Sequence, residues 1–513
     1  MLSTVFSAGI NGVDGFKVTV ECDIHRGSDK ADFQIVGLPD AAIKEAKERI
    51  RSASENSGIS FPDGQIVINM APADMKKSGT SFDLAMLIGA LKASGFISRT
   101  VNLDKMAFLG ELSLSGAVRS VRGVLCMVLA LKQCGFTDAF VPIDNAREAS
   151  VVSGINVYGV ESVASLISHL NGRKPIAPMG FDPTLLSGAG SGYKVDFSDV
   201  KGQVIAKRAM EVAAAGGHNL LLIGPPGTGK SMLAKRLPTI LPDMTFDEAI
   251  EVTKIYSIAG MLPSDTSLMT QRPIRSPHHT MSGAALAGGG INPTPGEISL
   301  SHNGVLFLDE LPEFPRLVTE VLRQPIEDGE ITITRANGKL RFPSSFMLLC
   351  AMNPCKCGYR GHPTIPCKCK PDDVRRYLAR ISGPLLDRID IQVEMPALTA
   401  EELSSMRVGE SSAVIRERVN AARAFSARRF NDGSGVYCNA KMTARHLREH
   451  CALDKEATDL MNTAYETIGL SARGYDRILK VARTVADLAE SERITAMHIA
   501  EAIRLRTLDR SYF

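Results

Sequence analysis

Apolar and polar positions follow two different spacings in the first third of the chain. Residues 16–24 and 64–72 alternate apolar with polar positions and are rich in β-branched residues, which predicts two strands. Residues 41–58 have apolar side chains at helical spacing and end in glycine, which predicts a helix. Residues 82–95 predict a second and more buried helix, which also ends at a glycine.

These patterns predict an α/β multidomain protein. They divide the chain into three domains and one linker. Residues 1–170 mix strands and helices in an α+β pattern, and residues 171–192 are dense in Pro, Gly and Ser, which is typical of a linker. Residues 193–395 run through strand, glycine-rich turn, helix and strand, which predicts a parallel α/β sheet. Residues 396–513 have an almost entirely helical pattern, which predicts a C-terminal α-helical domain.

Composition excludes several classes of protein. Hydrophobic residues make up 44% of the chain and charged residues 22%, so the chain can bury a core and is not disordered throughout. The formal net charge of +3 excludes a polybasic protein, so any contact with nucleic acid must come from local patches. No run of eighteen apolar residues and no secretory signal pattern is present, so we expect a cytoplasmic protein without membrane contact.

The strongest motif in the chain lies in residues 219–237, which read NLLLIGPPGTGKSMLAKRL. An apolar run precedes the pattern G-x-x-x-x-G-K-S and a helical pattern follows it, as in a phosphate-binding loop. In such a loop, backbone N–H groups surround the β-phosphate, Lys230 reaches the β- and γ-phosphates, and the Ser231 hydroxyl coordinates Mg²⁺. The predicted ATP-binding residues are Gly224, Pro225, Pro226, Gly227, Thr228, Gly229, Lys230 and Ser231.

Two further apolar runs end in polar residues that suit hydrolysis. Residues 305–310 are four apolar residues followed by Asp309, predicted to hold Mg²⁺, and Glu310, predicted to orient or deprotonate the attacking water. Residues 348–354 contain another apolar run, which ends at Asn353, and this residue can position that water from a third strand. An asparagine that forms a turn before proline is the alternative.

Four of the ten cysteines lie close together in the sequence, whereas the other six are scattered. Two C-x-C pairs can present four thiolates to one tetrahedral Zn²⁺. An unmetallated loop and a redox switch remain as alternatives. The segment 353–380 also carries seven Lys or Arg against two Asp, which makes it a local basic patch. The candidate zinc ligands are Cys355, Cys357, Cys367 and Cys369.

Residues 328–343 alternate polar with apolar positions around an Asn-Gly pair, the strongest short-range signal for a hairpin. Its basic residues Arg335, Lys339 and Arg341 are candidates for contacts with DNA phosphates, and an ordinary surface hairpin is the alternative. Residues 275–296 predict a long, flexible loop with two adjacent histidines. For these histidines, metal or DNA binding and simple loop packing remain open.

Longer stretches resemble the ComM/YifB family of bacterial competence-type proteins, in the magnesium-chelatase-like branch of the AAA+ ATPases. The resemblance covers essentially the whole chain and includes FQIVGLPDAAIKEAKERIRSA, RPIRSPHHTMSGAALAGGG, PGEISLSHNGVLFLDELPEF and YLARISGPLLDRIDI. It implies a homohexameric ring with the nucleotide between subunits. In that ring Arg388 resembles the arginine finger that reaches a neighbour's γ-phosphate, and Arg473, with Arg477 as its competitor, resembles a second nucleotide sensor on a helical lid.

The same resemblance implies what the ATP is used for. The family suggests an ATP-dependent DNA motor that promotes strand exchange or branch migration during natural transformation, whereas the residues themselves lead only as far as ATP hydrolysis. In related helicase-type rings, a hairpin before the third strand projects into the central pore. Two alternatives remain: a chelatase-type remodeller of a protein partner, and a regulatory AAA+ scaffold.

Residues 1–170 resemble a domain of Lon-type proteases. This type of domain is also known as the magnesium chelatase ChlI type. In a protease of this kind Ser81 would be the nucleophile, and a serine hydroxyl needs a base to become nucleophilic. At the position of the family's lysine this chain has Leu125, and Lys132 lies about two helical turns further on. We therefore expect a catalytically silent domain used for assembly or DNA handling.

Overall fold

The structure is a computed structural model, and it describes residues 2–25, 33–181, 194–263, 265–290, 293–335, 338–398, 409–430, 433 and 435–506. The chain forms two compact units, Met1–Ser187 with Ala249–Met269, and Gly188–Glu248 with Thr270–Phe513. Of the predicted linker, residues 182–192 lie outside the described residues.

The first unit contains a mixed seven-stranded sheet and a small two-stranded ribbon. The sheet order is β3-β4-β2-β1-β5-β8-β9, and β6 pairs with β7 in the ribbon. The neighbours of β2 are antiparallel to it, whereas the other neighbouring pairs of the sheet are parallel. The strands are β1 (Leu2–Asn11), β2 (Asp14–His25), β3 (Phe33–Val36), β4 (Gln65–Ala71), β5 (Met106–Phe108), β6 (Glu111–Leu112), β7 (Val118–Arg119), β8 (Asp138–Pro142) and β9 (Asn156–Val160).

Both strands predicted from alternation are present, as β2 and β4. The helix predicted over residues 41–58 is interrupted at Glu45, so that two helices replace one. The predicted buried helix is α3, which ends at Gly95 in the left-handed conformation that glycine readily adopts. The helices of this unit are α1 (Ala41–Lys44), α2 (Ala46–Asn56), α3 (Asp83–Ser94), α4 (Val124–Gln133), α5 (Ala146–Ala149) and α6 (Val163–Leu170).

The second unit is built on a five-stranded parallel sheet with the order β11-β14-β17-β10-β18. Three of these strands are buried along their whole length, which explains their uninterrupted apolar sequences. The predicted parallel sheet and mixed α/β content are confirmed. The strands of this unit are β10 (Leu220–Ile223), β11 (Ile274–Arg275), β12 (Gly288–Gly289), β13 (Thr294–Pro295), β14 (Val305–Leu308), β15 (Glu330–Arg335), β16 (Gly338–Pro343), β17 (Met347–Met352) and β18 (Ile391–Glu394).

Helices cover this sheet, and the C-terminal helices share its hydrophobic core, in which Leu222 and Phe307 cluster with Val419 and Val485. Among the described residues, no helix is both long and apolar enough to cross a lipid bilayer. The remaining helices of the chain, of which α9 lies mostly in the first unit, are α7 (Val204–Gly216), α8 (Lys230–Ala234), α9 (Phe246–Ala259), α10 (Gly283–Ala287), α11 (Glu297–Leu300), α12 (Arg316–Glu320), α13 (Arg323–Asp328), α14 (Pro371–Leu378), α15 (Gly383–Leu386), α16 (Ser412–Ala427), α17 (Ala444–His450), α18 (Lys455–Ile468), α19 (Ala472–Leu488) and α20 (Ala496–Arg504).

Two segments of the predicted ATPase region have an arrangement that their sequence pattern does not reveal. Residues 249–269, which include most of α9, cluster with the first unit, where the Ser257 hydroxyl donates to a Glu148 carboxylate oxygen at 2.6 Å. Residues 275–296, predicted as a flexible loop, contain helix α10 and the β12–β13 ribbon instead. The side chains of Arg275 and Glu297 form an ion pair of 2.6 Å at the base of this segment.

Candidate nucleotide-hydrolysis site

Three neighbouring strands end at the same edge of the five-stranded sheet and carry the predicted catalytic residues. The phosphate loop follows β10, Asp309 follows β14, and Asn353 follows β17. The parallel register pairs Ile223 with Met352 and Leu308 with Cys350, so the three strand ends lie beside one another. We call the side of the sheet at which these strands end the carboxyl edge, and the opposite side the amino edge. In folds of this type, ligands bind at the carboxyl ends of the parallel strands.

The phosphate loop is folded back on itself between β10 and α8. The backbone N–H of Gly224 donates to the Met352 carbonyl at 3.2 Å, and the Thr228 hydroxyl donates to the Pro225 carbonyl at 3.0 Å. The backbone of Gly229 has a φ of +90°, in the left-handed region that glycine adopts without strain. The predicted loop residues therefore lie in one strand–loop–helix turn.

Lys230 is buried at the base of the loop. Its ammonium group donates to the carbonyl oxygens of Gly224 at 2.7 Å and Pro225 at 2.8 Å, and to Asn353 Oδ1 at 3.2 Å. Burial lowers the pKa of Lys230, while the charge of Asp309 acts in the opposite direction. The structure thus brings together the predicted phosphate-binding lysine and the predicted water-positioning asparagine.

Ser231 and Asp309 form a pair of oxygen ligands. The Ser231 hydroxyl donates to Asp309 Oδ2 at 2.6 Å, and the Asp309 side chain is only half-buried. Hydroxyl and carboxylate oxygens are the ligands that Mg²⁺ prefers, together with phosphate oxygens and water. These two residues therefore fit the role predicted for them, which is to hold the Mg²⁺ that accompanies ATP.

Glu310 is exposed and has a positive φ of +53°, which is uncommon for a residue other than glycine. His279 Nδ1 lies 3.8 Å from Glu310 Oε2, and the His279 ring packs against the His278 ring at a tilt of 33°, with centroids 4.1 Å apart. Sequence analysis missed this relation, since the adjacent histidines were its only signal. Among the described residues, the four cysteines are the only group of three or more potential metal ligands, so the histidine pair and Glu310 do not form such a group.

A buried glutamine connects the segment 199–203 to the phosphate loop. The Gln203 amide donates to the carbonyl oxygens of Pro396 at 2.9 Å and Thr228 at 3.3 Å. Asp199, at the start of the segment, accepts from Arg236 Nη2 at 2.8 Å. The segment thus lies beside the phosphate loop.

Arg388 and Arg473 line a different cleft, of about 320 Å³. The cleft is also lined by Asn219, Phe346 and Asp390, which immediately precede β10, β17 and β18. Because the strands are parallel, the cleft lies at the amino edge of the sheet, opposite the phosphate loop. The four residues of β10 alone span about 13 Å between the two edges. The structure therefore brings the two predicted arginines together and separates both from Lys230.

The arginines of this cleft differ in their partners. Arg388 is buried, and its guanidinium contacts Glu327 Oε1 at 2.5 Å and the Pro384 carbonyl at 2.6 Å. Arg473 is exposed, and no side chain of the described residues forms an ion pair with it. Arg477 instead donates to Asp390 Oδ1 at 2.7 Å.

Asp390 anchors a buried polar network at the start of β18. Burial opposes its ionisation, but a hydrogen bond from His218 and the charge of Arg477 lower its pKa overall. The other ring nitrogen of His218 lies 2.7 Å from the Thr484 hydroxyl. Arg477 therefore belongs to a structural network, which leaves Arg473 as the exposed cation of α19.

The predicted hairpin is present as the antiparallel pair β15–β16. Ile331 and Phe342 pair across its buried face, while Thr332 pairs with Arg341 across the other face. Lys339 and Arg341 are exposed, and Arg341 lies 3.6 Å from Glu330. Arg335 ends β15 opposite Gly338, and residues 336–337 at the tip lie outside the described residues.

The four cysteines between residues 355 and 369 form one cluster. Their sulfur atoms all lie within 4.8 Å of one another, and Cys355 is fully buried. Distances between Sγ atoms are 3.4 Å for Cys355–Cys357, 3.6 Å for Cys357–Cys367 and 3.7 Å for Cys355–Cys367. A backbone hydrogen bond from Tyr359 lowers the pKa of the Cys357 thiol to about 6. The structure thus assembles the predicted ligand set, including Cys369.

Known protein sequences match this chain over nearly its whole length. Three family models match the chain. The model of magnesium chelatase, subunit ChlI, matches residues 196–403, and the model of subunit ChlI of Mg-chelatase matches residues 20–145. The model of the C-terminal part of magnesium chelatase subunit ChlI matches residues 409–506. Competence protein ComM of Haemophilus influenzae is 42% identical over 99% of this chain and 98% of its own length. The chain belongs to the ComM/YifB family.

This confirms the family predicted from the sequence. YifB of Escherichia coli (strain K12) is 41% identical over 99% of this chain and 98% of its own length. The magnesium-chelatase 38 kDa subunit of Rhodobacter capsulatus is 27% identical, over 33% of this chain and 53% of that subunit. As a magnesium-chelatase-like AAA+ family, the ComM/YifB proteins are implied to be ATPases that use ATP and Mg²⁺.

Proposed function

We propose that the chain is a cytoplasmic ATP-dependent DNA motor of natural transformation and recombination. In this proposal it works as a homohexameric ring that hydrolyses ATP and drives helicase or branch-migration activity. The observation that carries the proposal is the division of the predicted ATPase residues between the two edges of one sheet. A nucleotide on the phosphate loop of one subunit needs the amino edge of another subunit to complete its site.

Each residue of the carboxyl edge has a defined task in hydrolysis. Lys230 binds the β- and γ-phosphates, Ser231 and Asp309 hold Mg²⁺, and Asn353 orients the attacking water. Glu310 accepts a proton from that water as it attacks the γ-phosphate. The negative charge that develops on the transferred phosphoryl group is stabilised further by a cation such as an arginine finger.

The amino edge supplies that cation from the neighbouring subunit. We assign Arg388 as the arginine finger and Arg473, on the helical lid of residues 396–513, as the second sensor. In the single chain Arg388 is paired with Glu327, whose side chain is half exposed, so Arg388 must exchange this partner for the neighbour's γ-phosphate. Hydrolysis is then fast only in an assembled ring.

DNA is the proposed substrate of the motor. The exposed face of the hairpin carries Lys339 and Arg341, and Arg335 lies at the end of the same ribbon. Lys and Arg side chains bind DNA phosphates and release counterions, irrespective of base sequence. The relative from Haemophilus influenzae is named a competence protein, which agrees with DNA as the material that is moved.

The proposal is tested by the rate of ATP hydrolysis without DNA and with single-stranded, forked and four-way-junction DNA. We expect DNA to raise the rate of hydrolysis, and we expect the double variant Lys339→Ala with Arg341→Ala to reduce this increase. The double variant should also lower the slope of log affinity for DNA against log salt concentration by about 2, because two phosphate contacts are lost. Lys230→Ala is the control, because it removes turnover under every condition. Equal rates with and without every DNA would contradict the proposal.

A second candidate function is a chelatase-type remodeller of a protein partner, favoured by the chelatase family models that match most of the chain. This alternative predicts hydrolysis that is indifferent to DNA and rises with a partner protein. The same DNA panel therefore separates the two functions.

We also propose that the first unit is a Lon-like domain without protease activity. Ser81 is nearly buried, and Leu125 is fully buried on α4 at the position that carries a lysine in the proteases it resembles. Without a base at that position the serine hydroxyl is not activated. The unit is then available for assembly or DNA handling.

A further inference from the structure

The sulfur geometry of the cysteine cluster matches a tetrahedral metal site. A Zn–S bond of about 2.3 Å places tetrahedral sulfur ligands about 3.8 Å apart. Three pairs in the cluster, which involve Cys355, Cys357 and Cys367, are separated by 3.4–3.7 Å. A disulfide would require about 2.05 Å, so these sulfurs are not bonded in pairs. Four sulfur ligands in this arrangement suit Zn²⁺.

The cluster is joined directly to the nucleotide site. One residue separates Cys355 from Asn353, which accepts a hydrogen bond from Lys230. Gly358, within the cluster segment, packs against Pro226 of the phosphate loop: a Cβ added at Gly358 would lie 2.7 Å from Pro226 Cδ. The segment therefore contacts the phosphate loop and carries a residue of the same site.

We propose that the four cysteines bind one Zn²⁺ and that the closed metal site braces the phosphate loop, so that nucleotide affinity depends on the metal. Binding displaces the thiol protons to solvent and changes no oxidation state. A segment of fifteen residues rich in Gly and Pro has few regular backbone hydrogen bonds of its own, and four metal bonds fix its shape. Zinc binding stands apart from the proposed function, whereas its effect on nucleotide rests on the proposed ATP site.

The metal is tested on the full-length protein by elemental analysis after purification without chelators. We expect one zinc per chain in the wild type, and none after Cys355→Ser with Cys367→Ser. The control is Cys134→Ser, because Cys134 is an exposed free cysteine outside the cluster. Wild-type protein without zinc, or with iron in its place, would overturn the metal assignment, whether or not the double variant folds.

The effect on nucleotide is tested with Gly358→Ala, which keeps all four thiols. Gly361→Ala is its matched control, because both glycines have positive φ values, +84° and +77°, but a Cβ at Gly361 meets only Glu394 Oε1, at 3.7 Å. We expect Gly358→Ala to retain zinc and to bind a fluorescent ATP analogue at least about tenfold more weakly than Gly361→Ala does.

Equal affinities of these two variants would overturn the bracing of the loop, even if zinc is present. Zinc content and nucleotide affinity are both measured without DNA. A failure of DNA to stimulate hydrolysis would therefore leave this inference intact, and a failure of the zinc measurement would leave the DNA motor intact.

Discussion

The two edges of the five-stranded sheet carry different sets of the residues predicted to act in ATP hydrolysis. The carboxyl edge holds a phosphate loop with Asp309 and Glu310, which suit Mg²⁺ and an attacking water. The amino edge holds Arg388 and Arg473, whose positive charges suit a phosphate group. The phosphate loop, however, lies at the opposite edge of the same sheet. Under the proposed function, one subunit therefore carries both halves of the ATPase site at opposite edges of its sheet and cannot join them itself.

The largest effect on hydrolysis is expected from removing the proposed arginine finger, Arg388. We expect Arg388→Ala to slow ATP hydrolysis by about 10³-fold, because an arginine finger contributes that much to phosphoryl transfer. Nucleotide binding to the phosphate loop should persist, since Arg388 lies at the opposite edge. Steady-state hydrolysis and binding of a fluorescent ATP analogue check both parts. A fully active Arg388→Ala ring would exclude Arg388 as the finger.

Substitutions of Arg473 and Arg477, both on α19, should affect catalysis and stability separately. We expect Arg473→Ala to slow hydrolysis by about 10²-fold and to leave thermal unfolding unchanged, because the side chain is exposed. Arg477→Ala removes a partner of the buried Asp390 and should lower the free energy of unfolding by roughly 3 kcal/mol. Thermal and chemical unfolding, measured with hydrolysis, distinguish them. If the two variants exchanged these effects, Arg477 would be the sensor.

The smallest effect is expected at the carboxyl edge, from His279. His279 is half-buried and Glu310 is exposed, and a pair of this kind near the surface contributes up to about 1 kcal/mol, so His279→Ala should slow hydrolysis by at most about fivefold. His278→Ala is the control, because its ring nitrogen contacts the Thr280 hydroxyl at 2.9 Å rather than Glu310. Equal rates for the two variants would show that His279 does not position Glu310.

Local sequence was sufficient for the parts of the site whose residues are adjacent in the chain. The phosphate loop occupies eight consecutive positions after an apolar strand, so one continuous motif includes all the residues of the loop. The hairpin and the cysteine cluster were predictable for the same reason, since turn chemistry and ligand spacing act over short distances.

Relations between distant segments were not predictable from the sequence. The position of Arg388 and Arg473 opposite the loop depends on strand order and on how α19 packs, neither of which a periodic pattern encodes. Periodicity shows that α9 has a buried face, but it does not name the partner, and most of that helix clusters with the first unit. The contact between His279 and Glu310 joins segments 31 residues apart, so no local signal marks it.

The central claim, that each active site is shared between two subunits, is tested most directly by mixing two inactive variants. Lys230→Ala chains lack a working phosphate loop but keep Arg388, whereas Arg388→Ala chains lack the finger but keep Lys230. After the two are mixed in equal amounts and allowed to exchange subunits, about a quarter of the sites combine an intact loop with an intact finger. The account predicts that about this fraction of wild-type hydrolysis returns, and a mixture of exchanged rings as inactive as its components would contradict it.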